Sequence, residues 1–205
     1  VELTNNSLNI QNHTIAAWVK SEDGAICCSG GGIFDVVSQD LFSDYYSLTA
    51  HRNLIRQWIN YPDSPNDEFL FNTNILTDDQ YHHLAVTYDN SIRQIWIDGI
   101  LVAESLFNEP ILFSQDSRAF IGVNLPGGND YFRGVIDEIL VFNRLLEEDE
   151  IFQLYNAENQ MNNIDTVICQ GEIIQIGNND YSISGIFTDT LINQFGCDSI
   201  ITTNL

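Results

Sequence analysis

The sequence predicts an all-β protein, a β-sandwich with one short helix. Many short segments are rich in β-branched and aromatic residues, and most are bounded by Asn, Asp, Gly or Ser. Asp98-Gly99 separates two such segments, which is a strong signal for a two-residue hairpin turn. Short strands with regularly spaced turn signals are typical of sandwich folds.

Seven segments carry the strand pattern and one carries a helical pattern. Ile151, Leu154 and Tyr155 recur at helical spacing, and acidic residues fill the first turn, where the helix dipole favours them. We therefore expect a helix over residues 147–158. The predicted strands are 13–20, 33–39, 81–88, 92–98, 100–105, 118–124 and 132–143.

Composition excludes several classes of partner. The 205 residues include 29 acidic and 7 basic side chains, for a formal net charge of -22. Binding to a nucleic-acid backbone or to anionic lipid needs clustered Lys and Arg, so neither is expected. The sequence contains no apolar run long enough to span a membrane and opens with no signal-peptide pattern. Its abrupt, strand-like start suggests a fragment of a longer chain.

The composition changes after residue 158. Residues 159–163 form a polar linker, and residues 164–205 form a small module of short strands with one cysteine near each end, Cys169 and Cys197. A module this small buries little apolar surface and usually needs a covalent staple. We therefore predict a Cys169–Cys197 disulfide, which contributes about 3–4 kcal/mol in the chain-entropy model, and an oxidising compartment.

Three blocks of residues 1–158 carry a family resemblance. The blocks are TIAAWVK (14–20), YHHLAVTYDNS…IWIDGILVAE (81–104) and FRGVIDEILVFNRLLEEDEIFQLYN (132–156). In order and spacing they resemble the laminin-G-like domains of the concanavalin A-like superfamily. This resemblance implies an antiparallel jelly-roll sandwich.

The C-terminal module resembles a second family. Its Ile-Cys-x-Gly-Glu start, Tyr-x-x-Ser-Gly-x-Phe centre and Gly-Cys-Asp-Ser-Ile end are similar to a repeat of bacterial surface proteins exported by the type IX route. That resemblance implies a secreted or cell-surface location and neighbouring domains in the same long chain.

No catalytic pattern is found. Glucanases of the same superfamily carry a Glu-x-Asp-x-x-Glu strand, whose carboxylates act as nucleophile and acid. The sequence lacks it, and Asp137 and Glu138 are neighbours that point to opposite faces of a strand. His82 and His83 also point to opposite faces and are interpreted as structural. We therefore expect no enzyme activity.

Calcium is the ion that the resemblance favours. Jelly rolls of this type often bind one structural Ca²⁺ at a sheet edge, and Asp137 occupies the position of a side-chain ligand. The alternative is that Asp137 only accepts a hydrogen bond from a neighbouring turn. The acidic loops 62–68 and 126–131 offer further oxygens, although solvated turns explain them as well.

A carbohydrate site requires an exposed aromatic platform with polar neighbours. The candidates are Trp58 and Tyr61, which precede a Pro-rich loop, together with Tyr45, Tyr46 and Tyr131. Trp18 and Trp96 lie in alternating strands and are expected in the core. The predicted function is a non-catalytic binding or adhesion module for polysaccharides or glycoprotein glycans. A structural spacer in a surface fibre is the alternative, and an accessory domain of a polysaccharide-degrading enzyme is a third.

The stretch AICCSGGG contains adjacent cysteines, Cys27 and Cys28. A phosphate-binding loop would continue with Lys-Ser or Lys-Thr and a helix, but Ile33 and Phe34 open a strand instead. A zinc site would need a second pair of ligands. In an oxidising compartment we predict a vicinal Cys27–Cys28 disulfide in a rigid loop, where the glycines permit the turns.

Overall fold

The computed structural model describes residues 2–3, 12–22, 31–37, 45–51, 53–61, 64–108, 117–124, 130–159, 162–169, 171–192 and 198–205. The chain divides into two compact units, Val1–Glu147 and Glu148–Leu205. This division differs from the predicted boundary after residue 158. The helix Glu148–Asn159 belongs to the second unit because it contacts that unit's strand Asp198–Asn204.

The larger sheet of the first unit has eight strands. Neighbouring strands of this sheet run antiparallel, except for one short parallel contact in which Tyr131 pairs with Gly32. From edge to edge the strands are β1 (Glu2–Leu3), β10 (Arg118–Ile121), β3 (Gly31–Val37), β4 (Tyr45–His51), β5 (Leu54–Tyr61) and β6 (Ser64–Asn72), with β11 (Val123–Asn124) and β12 (Asp130–Tyr131) joined beside β3.

The smaller sheet has five strands, all antiparallel to their neighbours. The hairpin predicted at Asp98-Gly99 is confirmed, and the positive φ angles of 51° and 77° at these residues are those of a type I′ turn. The strands are, in order, β13 (Gly134–Phe142), β2 (His13–Ser21), β7 (His82–Tyr88), β8 (Ile92–Ile97) and β9 (Ile100–Leu106).

The core of the first unit lies between the two sheets, so the predicted antiparallel sandwich is confirmed. Along each strand every second side chain points inward, and these inward residues are almost all apolar. Trp18 and Trp96 are buried, as predicted. Six representative core residues, each at most 1% exposed, are Ile15, Val86 and Ile95 in the smaller sheet and Phe34, Leu48 and Ile55 in the larger.

Two glycines allow a close approach of backbone at the start of β3. A Cβ atom on Gly32 would collide with the backbone of Val123, and one on Gly31 would collide with the backbone of Phe132. The glycine run was predicted to serve a turn. At its two described positions it instead lets the chain around β11 and β12 pass directly over β3.

Polar groups tie the two sheets together inside the sandwich. The hydroxyl of Tyr46 on β4 accepts a hydrogen bond from Gln57 Nε2 at 3.2 Å and lies 3.3 Å from His13 Nε2 on β2. Burial raises the pKa of Tyr46 well above its ordinary value, so the phenol stays neutral. The Tyr46 hydroxyl therefore brings no negative charge into the core.

Arg93 forms a second tie between the sheets. Its side chain, on β8, is 4% exposed and pairs with Asp67 on β6. The guanidinium carbon also lies 5.0 Å from the ring centre of Phe69 and 4.6 Å from that of Phe107, which are cation–π distances. One buried cation therefore links β8 of the smaller sheet to the edge strand β6 of the larger sheet.

His82 and His83, at the start of β7, hold the Asp98-Gly99 turn between β8 and β9 in place. His82 Nδ1 lies 2.8 Å from Asp98 Oδ2 and its Nε2 lies 3.1 Å from Asp78 Oδ1, while the backbone N–H of His83 donates to Asp98 Oδ1. Burial lowers the pKa of His82, but the hydrogen bonds and charges of both carboxylates outweigh burial and raise the pKa above its ordinary value. Burial lowers the pKa of His83 to about 4.

The second unit contains one helix, a three-stranded sheet and a hairpin. The helix α1 (Glu148–Asn159) carries acidic residues in its first turn, and its observed bounds lie within one residue of the prediction. In the described part of the chain, no helix is long and apolar enough to cross a membrane. The sheet order is β14 (Asn162–Asp165), β18 (Asp198–Asn204) and β17 (Ile186–Ile192), and the hairpin joins β15 (Ile174–Ile176) to β16 (Asn179–Tyr181).

Replacing Arg93 should destabilise the sandwich. Arg93→Ala removes the cation from between two rings and leaves Asp67 without its partner. We expect the free energy of unfolding to fall by about 3 kcal/mol, at the low end for buried pairs because Asp67 is partly exposed. Denaturant unfolding measures this. As a control, Arg133→Ala replaces an exposed arginine and should change the free energy of unfolding by less than about 0.5 kcal/mol. Equal losses for the two variants would contradict a stabilising role of the Arg93 contacts between the sheets.

The two histidines should make stability depend on pH in opposite directions. His83 has a lowered folded pKa, so its contribution is present above pH ~6.5 and is lost as pH falls towards 4. His82 has a raised folded pKa, so its contribution is present below pH ~6.5 and is lost as pH rises through the folded pKa.

Urea unfolding of His83→Gln and His82→Gln at pH 7 and pH 4.5 tests this dependence. On acidification, the stability of wild type relative to His83→Gln should fall by about 2–3 kcal/mol, whereas that relative to His82→Gln should rise. A difference that stays constant with pH for both variants would be incompatible with these protonation states.

Candidate ligand-binding surface

The outer face of the larger sheet, turned away from the core, aligns polar and aromatic side chains in two rows. Strand register and alternation define both rows. The first, the Trp58 row, contains Phe120, Asp35, Ser47, Trp58 and Glu68. The second, the Tyr131 row, contains Tyr131, Gly32, Thr49, Arg56 and Leu70.

Trp58 lies near the middle of β5 and is half-buried. Its ring packs against a small apolar cluster of Val37, Phe120 and Val123 on the same face. The sequence predicted an exposed platform beside a loop. The structure instead places the indole within a regular strand, where only part of its surface is accessible to a ligand.

Arg56 stacks on Trp58. Its guanidinium carbon lies 4.6 Å from the centre of the indole, its Nε donates to Thr49 Oγ1 at 3.3 Å, and its Nη1 lies 3.8 Å from Glu68 Oε1. Contacts on three sides hold the guanidinium in one orientation. An arginine held over an aromatic ring offers fixed donors beside an apolar surface, which suits hydroxyl-rich or anionic ligands.

Tyr131 lies on the same face as Trp58. It pairs directly with Val123, whose side chain packs in the cluster that contacts Trp58, so the two side chains share a face. Tyr131 is 70% exposed. Tyr61, the third predicted aromatic, ends β5 opposite Ser64, and its side chain lies outside the described residues.

Asp35 is a fully buried carboxylate in the Trp58 row. Ser47 Oγ donates to its Oδ1 at 2.6 Å. Phe120 is directly opposite Asp35 and carries the guanidinium of Arg118 over its ring at 5.5 Å. The row therefore contains a second arginine–aromatic stack, separated from the first by two intervening strands, β3 and β4.

The carboxylates of the row do not form a glycosidase pair. Asp35 and Glu68 are on β3 and β6, with β4 and β5 between them. Three strand spacings amount to roughly 14 Å, whereas retaining glycosidases need about 5–5.5 Å and inverting ones about 6.5–9.5 Å. The described part of the row therefore lacks the geometry for glycoside hydrolysis.

Asp137 is exposed on β13, where it pairs with Trp18. Its Oδ1 accepts a hydrogen bond from the backbone N–H of Glu138 at 2.9 Å, at a bulge where Glu138 has a φ of 46°. The carboxylate thus supports a local turn. Among the described residues no three His, Cys, Asp or Glu side chains are grouped to hold a metal ion, and calcium at Asp137 stays a prediction.

The predicted disulfides involve residues that are only partly described. Cys169 is exposed and has no disulfide partner among the described residues. Its predicted partner Cys197, and both Cys27 and Cys28, lie outside the described residues. Both pairings therefore stay predictions.

Sequence analysis missed three residues of this surface: Arg56, Asp35 and Ser47. A weak signal for Arg56 was present, because residues 54–61 are rich in β-branched and aromatic side chains, and Arg56 and Trp58, two positions apart, would share one face of a strand there. Asp35 and Ser47 had no comparable signal, since their pairing depends on the register of β3 and β4.

Comparison with solved structures finds domains of similar fold. Domain 4 of AbnA, a GH43 extracellular arabinanase from Geobacillus stearothermophilus solved with arabinotriose, is 19% identical, with a TM-score of 0.59 over 75% of this chain and 71% of that chain. The botulinum neurotoxin serotype D binding domain is 14% identical, with a TM-score of 0.58 over 80% and 42%. At these identities the likeness shows the fold alone.

Sequence comparisons complete the assignment. No curated protein sequence matches the chain significantly. Residues 1–152 match the profile of a laminin-G-like family described as the concanavalin A-like lectin/glucanases superfamily. The match covers the whole of the first unit and agrees with its two-sheet architecture. The chain therefore belongs to the concanavalin A-like lectin/glucanases superfamily.

Proposed function

We propose that the chain is a non-catalytic carbohydrate-binding module whose ligand lies on the outer face of the larger sheet. The observation that carries the proposal is the placement of Trp58, Arg56 and Tyr131 on one face by strand register. The exposed ring of Tyr131 offers a surface on which a sugar ring can stack. The Arg56–Trp58 stack offers hydrogen-bond donors in a fixed orientation next to an apolar surface. Such a pairing of apolar and polar groups is what sugar rings require.

The fold and its neighbours support this proposal. The superfamily contains lectins, and one structural neighbour was solved with an arabinose oligosaccharide. The absence of a close carboxylate pair in the Trp58 row favours binding over hydrolysis. We further propose a secreted or cell-surface setting, with neighbouring domains in the same chain, because residues 164–205 resemble a repeat of type IX-exported surface proteins.

A structural spacer is the second candidate function. It is favoured by the burial of Asp35 and Ser47 and by Arg56, which covers part of the Trp58 ring. Under this alternative the outer face is a second layer of packing, and no soluble glycan binds it.

A glycan array followed by calorimetry on the full chain separates the two functions. We expect binding to at least one polysaccharide, and we expect Tyr131→Ala to weaken it at least about tenfold, because each 1.4 kcal/mol of lost contact is one decade. Tyr131 is chosen because its exposure makes the substitution safe for folding. Arg56→Gln should also weaken binding by removing the charged donors.

Tyr81→Ala provides the matched control. Tyr81 is 48% exposed and precedes β7 of the smaller sheet, so its loss should leave glycan affinity unchanged. Glycan affinity that is unchanged in both Tyr131→Ala and Arg56→Gln would show that the binding site lies elsewhere. A failure to bind any glycan at millimolar concentration would favour the spacer.

A further inference from the structure

The second unit has a charge composition that restricts what its buried carboxylates can pair with. Residues 148–205 contain nine Asp or Glu and no Lys, Arg or His. A carboxylate buried within this unit therefore has no basic side chain of the same unit available. Its charge must be balanced by hydrogen bonds, by a proton or by a cation from solution.

Asp189 on β17 is such a carboxylate, at 3% exposure. Its Oδ1 accepts two hydrogen bonds of 2.6 Å, from Asn179 Nδ2 and from the hydroxyl of Tyr181. The hydrogen bond to Asp189 raises the pKa of Tyr181 above its ordinary value, as a charged acceptor does. Asp189 Oδ2 is buried and has no hydrogen-bond partner in the described structure.

Thr203 on β18 presents a second oxygen of the same kind. The residue is fully buried, and its Oγ1 has no hydrogen-bond partner in the described part of the chain. Thr203 pairs with Phe187, and Asp189 pairs with Ile201, so Thr203 and Asp189 are diagonal neighbours on one face of the β17–β18 ladder. Two unsatisfied oxygens thus lie on one face.

Leaving these two oxygens without a partner is energetically costly. An unsatisfied buried polar group costs about 1–3 kcal/mol, and more when it is charged. Carboxylate and hydroxyl oxygens are the ligands that hard cations prefer.

We propose that Asp189 Oδ2 and Thr203 Oγ1 bind a small hard cation, Ca²⁺ or Na⁺, inside the second unit. Water supplies the remaining ligands. With one carboxylate the site is weak, of the order of 10⁻⁴–10⁻³ M for Ca²⁺, as in extracellular modules. The proposal is independent of carbohydrate binding, because all of its residues belong to the second unit.

Terbium luminescence on the full chain tests the site. Tb³⁺ replaces Ca²⁺ and is sensitised by nearby tyrosine, and the Tyr181 hydroxyl lies 2.6 Å from Asp189 Oδ1. We expect Tb³⁺ emission that millimolar Ca²⁺ displaces, and a Tm that rises with Ca²⁺. If Na⁺ is the natural ion, NaCl should raise the Tm more than choline chloride at equal ionic strength.

Isosteric variants localise the response. Asp189→Asn should abolish the cation-dependent emission and Tm shift, and Thr203→Val should weaken cation affinity about tenfold. Asp180→Asn changes the same charge at an exposed position of the same unit and should retain both responses. Circular dichroism checks that each variant is folded.

Three results would overturn the site. The first is a wild-type chain whose Tm responds to neither ion. The second is a response equal in wild type and Asp189→Asn. The third is a stabilisation by Asp189→Asn that is the same with and without Ca²⁺, because it would show that no bound cation stabilises the carboxylate of Asp189.

Discussion

Arg93 between Phe69 and Phe107 is the constraint on which the first unit depends most. Apolar contacts between two sheets favour close packing but set no direction of their own, because the hydrophobic effect is non-directional. The ion pair of Arg93 with Asp67 and the hydroxyl of Tyr46 between His13 and Gln57 are directional. They hold β6 opposite β8 and β4 opposite β2.

Fixed sheets give a fixed outer face. Because β3, β4 and β5 are held from inside by core packing, their outward side chains repeat in register, and Arg56 meets Trp58 in one orientation. A surface organised this way loses little conformational entropy when a ligand binds. The same rigidity serves a spacer equally well, and for that reason the proposed function depends on the exposed Tyr131 as much as on Trp58.

The second unit is stabilised differently. It is small, several of its large apolar side chains are exposed, and its buried Asp189 accepts hydrogen bonds from the more exposed Asn179 and Tyr181. A unit of this size gains little from apolar burial, so polar contacts, a bound ion or a covalent staple carry a larger share of its stability.

Strands and turns could be predicted from short stretches of the sequence. Six of the seven predicted strands, the Asp98-Gly99 turn and the helix lie within two residues of their predicted bounds, because each depends on side chains close in sequence. The seventh, 118–124, is divided at Gly122 into β10 and β11. The strands β4, β5 and β6 were missed as a set. Polar residues and Pro-containing turns interrupt their apolar pattern, and pairing with neighbours decides their conformation.

The sequence by itself determined the sandwich, its acidic charge and the superfamily, since these follow from local patterns and composition. Tertiary structure alone decided that Tyr131, 73 residues beyond Trp58, shares its face, and that Gly31 and Gly32 admit a crossing backbone. It also decided that the helix joins the second unit. The physical reason is that a one-residue change of register moves every side chain of a strand to the other face, and only long-range pairing sets that register.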